Sequence, residues 1–249
     1  MNSASVEGTL VLSASMESAG SGWLFNLTNE MLKYTGHADV RVIREQYGLD
    51  DVLRGDNCNI GSLDEATWEG LLPAITDGHT FVVKSHRKPT SLARQLCAEG
   101  RVKATYIHRD PRDVIVSVYQ RGQRRRASGY KGSFSRLRTI DMATVWMRYR
   151  QIPIFAAWSY QPNTLIVRYE DLSDDGVGVL RPLAQHLGVA PSEGDLQRLV
   201  QDYSGENARE KAGTHYRGGG RRRDEMTPGQ LWRCNRLCGS AISAMGYEH

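Results

Sequence analysis

The chain of 249 residues carries 32 Lys and Arg against 28 Asp and Glu, a formal net charge of +4, with 40% hydrophobic and 24% charged residues. Such a length buries one sizeable α/β core or two small ones, and the balance is that of an ordinary soluble globular protein. No apolar run approaches the roughly 20 residues that span a bilayer, and no basic stretch followed by a long apolar one opens the chain, so neither a membrane span nor a signal peptide is expected.

In chain order, an apolar run at 9–13 reads as a strand and is followed by the small-residue loop "MESAGSGW" and a helical pattern at 23–34. A weaker strand is predicted at 38–43, a helix at 63–75, a strand at 80–83 and a helix at 91–97. A strand at 104–107 and a helix at 113–121 come next. Beyond them lies a stretch at 121–138 with seven basic residues and no acid, which reads as a mobile cationic loop. A helix at 140–157, a strand at 164–167 and helices at 180–187, 196–203 and 228–245 complete the chain, the last two framing a Gly/Arg-rich loop at 213–223. Trp146, Tyr149, Trp158 and Tyr160 fall in or just after a helical pattern and are expected to pack in the core. Strands alternating with helices predict an α/β fold: a single domain over 1–249 with a central, mostly parallel sheet flanked by helices.

In an open parallel sheet, ligands bind beyond the carboxyl ends of the strands. The first strand is followed by the glycine-containing loop, whose backbone N–H groups and helix start suit an anion. The loop has no Lys or Arg of its own and carries Glu17. The strand at 80–83 is followed by Lys84-Ser85-His86-Arg87, that at 104–107 by His108-Arg109-Asp110-Pro111-Arg112-Asp113, and that at 164–167 by Arg168-Tyr169-Glu170-Asp171. Cations at three of four converging strand ends point to an anionic ligand. Within "YIHRDPRDVIVSVYQ", Pro111 opens a helix, Arg109 precedes it and Ser117 lies inside it. An arginine fork with a hydroxyl suits a phosphate monoester.

The ordered set "KSH", "RDPRDVIVS", "VRYEDL" and "YRGGG" resembles the sulfotransferases that use 3′-phosphoadenosine 5′-phosphosulfate (PAPS), over nearly the whole chain. The resemblance implies a P-loop-like nucleotide-binding architecture. It also implies transfer of a sulfuryl group from PAPS to a hydroxyl or amine, with adenosine 3′,5′-bisphosphate as product and no metal. By the same resemblance Ser18, Ala19, Gly20, Ser21 and Gly22 wrap the 5′-phosphosulfate and Trp23 stacks on adenine. Arg109 and Ser117 hold the 3′-phosphate, Tyr169 lies near the adenosine, and Arg217, Gly218 and Gly219 close over the nucleotide. His86 falls where the family carries its base. The family's loop lysine is replaced by Ser18, which leaves Lys84, at an adjacent strand end, as the candidate to stabilise the leaving group, with Arg87 second. Glu17 is expected to point away from the phosphosulfate.

The basic stretch at 121–138 favours an anionic acceptor, such as a glycan, a glycopeptide or a natural product. Two other readings differ in what they require. A kinase-like phosphotransferase needs a Gly-x-x-x-x-Gly-Lys-Ser/Thr loop and metal-binding carboxylates, whereas Asp110 and Glu170 sit among arginines. A basic module for nucleic acid or sulfated glycans needs no nucleotide pocket; no nucleic-acid partner is expected. Of the cysteines (Cys58, Cys97, Cys234, Cys238) only the last two are close, at i, i+4, and no second pair completes a zinc site. Free thiols in a reducing cytoplasm are expected.

Overall fold

A computed structural model describes residues 8–132, 134–203 and 222–248. Five parallel strands, β1 (Leu10–Ser15), β2 (Asn59–Gly61), β3 (Phe81–Ser85), β4 (Val102–His108) and β5 (Thr164–Arg168), form one sheet in the order β2-β3-β1-β4-β5. β1 is the centre. All six of its residues are buried, and it pairs with β3 on one side and β4 on the other. Strands that follow one another in the chain thus leave β1 in opposite directions, which opens a crevice at its carboxyl end. Helices cover both faces, as an all-parallel sheet requires, and the buried side chains make one continuous core.

The helices that frame the crevice have identifiable starts. α1 (Ser21–Tyr34) begins at Gly20, whose φ of 85° is left-handed and whose cap lacks a side-chain hydrogen bond. The segment 38–43 is not a strand but the start of α2 (Val40–Gln46). The Asp39 carboxylate accepts the Arg41 N–H, and Val40 and Ile43 bury one face while Val42 stays 54% exposed. That i, i+3 burial and the cap outweigh the β-branched composition. The edge strand is instead β2, three residues long. It still matters to the site, because the Gly61 carbonyl accepts the Ser85 hydroxyl at 2.6 Å and the Cys58 carbonyl accepts the Lys84 N–H.

After α3 (Glu65–Thr76) and α4 (Ser91–Ala98), α5 (Pro111–Ala127) runs further than its predicted end and corrects the reading of 121–138 as one loop. Arg121, Gly122 and the arginine triplet 124–126 are helical, the triplet in the last turn where cations complement the helix dipole. The return strand of chain then packs on the helix. A Cβ on Gly122 would lie 2.4 Å from the Phe134 carbonyl oxygen, so only glycine allows the approach.

The predicted helix at 140–157 is also modified. α6 (Ile140–Trp146) passes into a π-helical turn (Met147–Gln151) and on into α7 (Ile152–Ser159). Pro153 has no N–H to offer the carbonyl four residues back, and the widened turn lies directly before it. Trp158 is buried as expected. Tyr149 and Tyr160 are not: they are 69% and 87% exposed, which corrects their placement in the core. α8 (Tyr169–Asp174), α9 (Gly176–Leu187), α10 (Glu193–Asp202) and α11 (Pro228–Ala244) follow. No helix among the described residues is long and apolar enough to cross a membrane.

Candidate active site

The loop from Met16 to Gly20 turns at the carboxyl end of β1. Ser18 adopts φ 65°, unusual for a residue with a side chain, and Gly20 φ 85°. The turn is held from both sides: Met16 donates to the Ile107 carbonyl of β4, and the Gln151 side chain accepts the Glu17 N–H at 3.0 Å. Among the described residues the amides of Ser18, Gly20, Ser21 and Gly22 have no hydrogen-bond acceptor. These amides and the start of α1 form a cradle of backbone donors. Ala19 is buried beneath it.

Gly20 lies against Tyr169, where an added Cβ would meet Cδ2 at 2.6 Å. The Tyr169 ring in turn receives the edge of Trp23, with centroids 5.9 Å apart, and the Arg109 guanidinium sits over it at 4.4 Å. Thus four predicted nucleotide contacts, from three separate chain segments, form one stack. Trp23 is buried in that stack. Arg109 also faces Asp113 at 3.9 Å, and Ser117 lies half-buried two turns along α5.

At the next strand end His86 leans on β1. Its Nδ1 is 2.9 Å from the Ser15 hydroxyl and 3.2 Å from the Ser15 carbonyl. The carbonyl only accepts and the hydroxyl can do either, so a proton on Nδ1 serves both contacts and leaves the lone pair on Nε2. Burial, then the charge of Lys84, push the imidazolium pKa down to about 3. Lys84 is itself buried in β3 and makes no ion pair among the described residues. Burial first, and then Arg121, bring its pKa down to about 8, with Glu17 opposing. The centre is therefore electropositive, with a neutral histidine beside a lysine that titrates close to physiological pH.

Glu17 turns its carboxylate to Arg150 at 3.8 Å and to the Gln151 amide at 3.5 Å. Burial raises its pKa, against the pull of Arg150 and Arg87. Neither Gln151 nor the Glu17 contact carried a local sequence signal, since the partners are 134 residues apart. The acids that a phosphotransferase would need are engaged otherwise. Asp110 caps α5 and pairs with Arg112 at 2.8 Å and Arg223 at 2.5 Å, while Glu170 accepts from the Asp110 amide and from Tyr247. No group of three or more His, Cys, Asp or Glu among the described residues is placed to hold a metal ion. All four cysteines are buried free thiols.

Arg217, Gly218 and Gly219 lie outside the described residues, as does most of the loop 213–223. Where the chain re-enters, it is tied to the first and middle turns of α5. The Arg223 N–H donates to Asp113 at 2.7 Å, and Arg222 donates to Gln120 at 2.6 Å.

A model of the sulfotransferase domain matches residues 64–241, from the start of α3 into α11, and the chain belongs to that family. The matched stretch takes in the strand ends bearing Lys84, His86, Arg109 and Tyr169; the loop after β1 precedes it. Sulfotransferase 4A1 of Mus musculus is 29% identical over 123 residues, 48% of this chain and 43% of that protein. The chain thus aligns with less than half the length of the curated relatives it matches. In three dimensions it is similar to mouse sulfotransferase SULT7A1 complexed with PAP, with a TM-score of 0.63 and 16% identity over 95% of this chain and 85% of the other. Retinol dehydratase in complex with androsterone and inactive cofactor PAP gives a TM-score of 0.60 at 17% identity, over 96% of this chain and 82% of the other. At such identities the likeness establishes the fold, and the sheet with its P-loop-like crevice is that of the sulfotransferases.

Proposed function

We propose that the chain transfers a sulfuryl group from PAPS to the hydroxyl of an acceptor. The observation that carries this reading is the pairing, at adjacent strand ends, of a neutral His86 with a buried Lys84 beside a cradle of backbone donors. The residues present fit the nucleotide. Gly20 leaves the loop free of a Cβ, Arg109 is held flat by Tyr169 at the start of α5, and Ser117 adds a hydroxyl on the same helix.

PAPS supplies an activated sulfuryl group whose bridging oxygen gains negative charge as it leaves. The chain's part is to position and to stabilise charge. The amides of Ser18 and Ser21 to Gly22 bind the anionic end, and Trp23 and Tyr169 build the wall beside the adenosine. Arg109 and Ser117 bind the 3′-phosphate; Arg217, Gly218 and Gly219 close over it. Nε2 of His86 accepts the proton of the acceptor hydroxyl, its ring fixed by Nδ1–H on the Ser15 carbonyl. Burial first, and then the charge of Lys84, keeps His86 neutral; an anionic donor offsets the second of these and so raises the basicity of the ring in part. Lys84 donates to the bridging oxygen, the task that a loop lysine performs in the resembling family.

Titration calorimetry with adenosine 3′,5′-bisphosphate tests the reading. Binding that is lost in Arg109→Ala supports it, and no binding to the intact chain removes it. A non-catalytic polyanion-binding module predicts instead strongly salt-dependent affinity for heparin or DNA without saturable nucleotide binding.

A further inference from the structure

A cavity of about 900 Å³ opens beside the loop, between the end of α5, the return segment 134–138 and the α6–π-turn helix. Glu17 lines it and directly precedes the cradle, so the cavity adjoins the loop after β1. Its volume suits an organic molecule of drug-like size. Among the described residues five basic side chains line it against the one carboxylate of Glu17, which already faces Arg150. Arg126 is committed to the Ser135 and Leu137 carbonyls. Arg136 and Arg138 make no hydrogen bond or ion pair among the described residues.

The remaining wall is apolar. Phe134 and Trp146 meet edge to face with centroids 5.6 Å apart, and Leu137 continues the surface. Met142 and Tyr130 also border the cavity while 45% and 55% exposed. Among the described residues, the uncharged hydroxyls in the lining are those of Ser135 and Tyr130. The continuous apolar wall favours an apolar body over a sugar, whose hydroxyls would lose their hydration against it.

We infer that this cavity takes an amphipathic organic acid as acceptor: an apolar or aromatic body bearing the hydroxyl to be sulfated at one end and a carboxylate at the other. The body lies on Phe134 and Trp146, the carboxylate meets Arg136 and Arg138 at the rim, and the hydroxyl points past Glu17 to His86. In the transfer, the acceptor oxygen forms a bond to sulfur and its proton goes to His86. The bond from sulfur to the bridging oxygen breaks, and adenosine 3′,5′-bisphosphate departs with that electron pair. The inference rests on the sulfuryl-transfer reading above and narrows its acceptor away from glycans.

The test compares a hydroxynaphthoic acid, its methyl ester and glucuronate as acceptors with labelled PAPS. The acid is expected to exceed the ester about ten-fold or more in kcat/KM, the size of one charge-assisted contact. Glucuronate, which has the charge without the apolar body, is expected to be a poor acceptor. In Arg136→Gln/Arg138→Gln the acid-to-ester ratio should fall to about one through a raised KM for the acid. Fluorescence anisotropy of the hydroxynaphthoic acid on protein loaded with adenosine 3′,5′-bisphosphate gives a readout free of turnover. An ester equal to the acid, a ratio unchanged in the double variant, a preference for glucuronate, or no anisotropy change overturns the inference. If the nucleotide itself does not bind, the sulfuryl-transfer reading falls; if it binds and the acid is not preferred, only the acceptor assignment falls.

Discussion

Gln151, fully buried in the π-helical turn, accepts the Glu17 N–H at 3.0 Å and so fixes the residue before the left-handed Ser18. Ser18 holds an uncommon conformation that neighbouring structure must enforce, and this bond is one of the enforcing contacts. Gln151→Met, which keeps the volume and removes the acceptor, should weaken adenosine 3′,5′-bisphosphate by about ten-fold, since a buried unsatisfied N–H costs about 1–3 kcal/mol. Calorimetry alongside a thermal melt separates loss of the loop from loss of the fold: an unchanged dissociation constant would show that the loop holds itself.

Gly20→Ala sets a Cβ 2.6 Å from the Tyr169 ring at a backbone φ of 85°. Both the ring and the left-handed geometry resist it, at a cost of about 1–3 kcal/mol. Nucleotide affinity should drop with stability, and the Trp23–Tyr169–Arg109 stack should open. Near-ultraviolet circular dichroism and calorimetry read the two effects.

Lys84→Ala should depress turnover by about a hundred-fold or more while changing product-nucleotide affinity far less, the signature of a contact made mainly in the transition state. The wild-type pKa near 8 adds a pH test. The ammonium is the useful form, so kcat/KM should fall as pH rises through about 8. In Lys84→Arg, which stays charged, that alkaline limb should move to higher pH. A pH profile identical in the two proteins would place the charge elsewhere.

His86→Ala should lose about 10²–10⁴ in kcat with nucleotide binding intact. Because the folded-state pKa is depressed to about 3, the imidazole is neutral across the working range. In the unfolded chain it takes a proton below its ordinary value of about 6.5. The unfolded state therefore binds more protons there, and the contribution of His86 to stability is complete above pH 6.5 and shrinks as pH falls toward 3. Denaturant melts from pH 7 to 4 should show a shallower loss in His86→Gln than in the wild type.

How far the sequence spoke depends on where each signal was local. Strands β1, β3 and β4 are largely buried apolar runs and β5 a half-exposed one, all with turn residues at their ends, and each was readable within a residue or two. β2, reading Asn-Ile-Gly, is too short and too polar to announce itself. Val40, Val42 and Ile43 imitated a strand because composition does not record which face a neighbour covers. The arginines 121–126 imitated a loop because charge does not preclude a helix. In the site, Lys84, His86, Arg109 and Tyr169 were legible because parallel topology alone delivers strand ends to one edge. The Gln151–Glu17 bond, the Asp110–Arg223 pair and the cavity under Phe134 join segments distant in the chain and leave no local trace.

Arg150 and Gln151 are neighbours in the chain that face different features of the site. Arg150 borders the cavity of about 900 Å³, and Gln151 grips the loop before the cradle of backbone donors. One widened turn of helix is thus a shared wall. A molecule that shifts Arg150 is expected to disturb the residue that holds the loop, and by reciprocity a bound nucleotide is expected to alter binding in the cavity. Under the proposed sulfuryl transfer, the nucleotide and the acceptor are therefore expected to bind with coupled affinities, which calorimetry of each in the presence of the other would read.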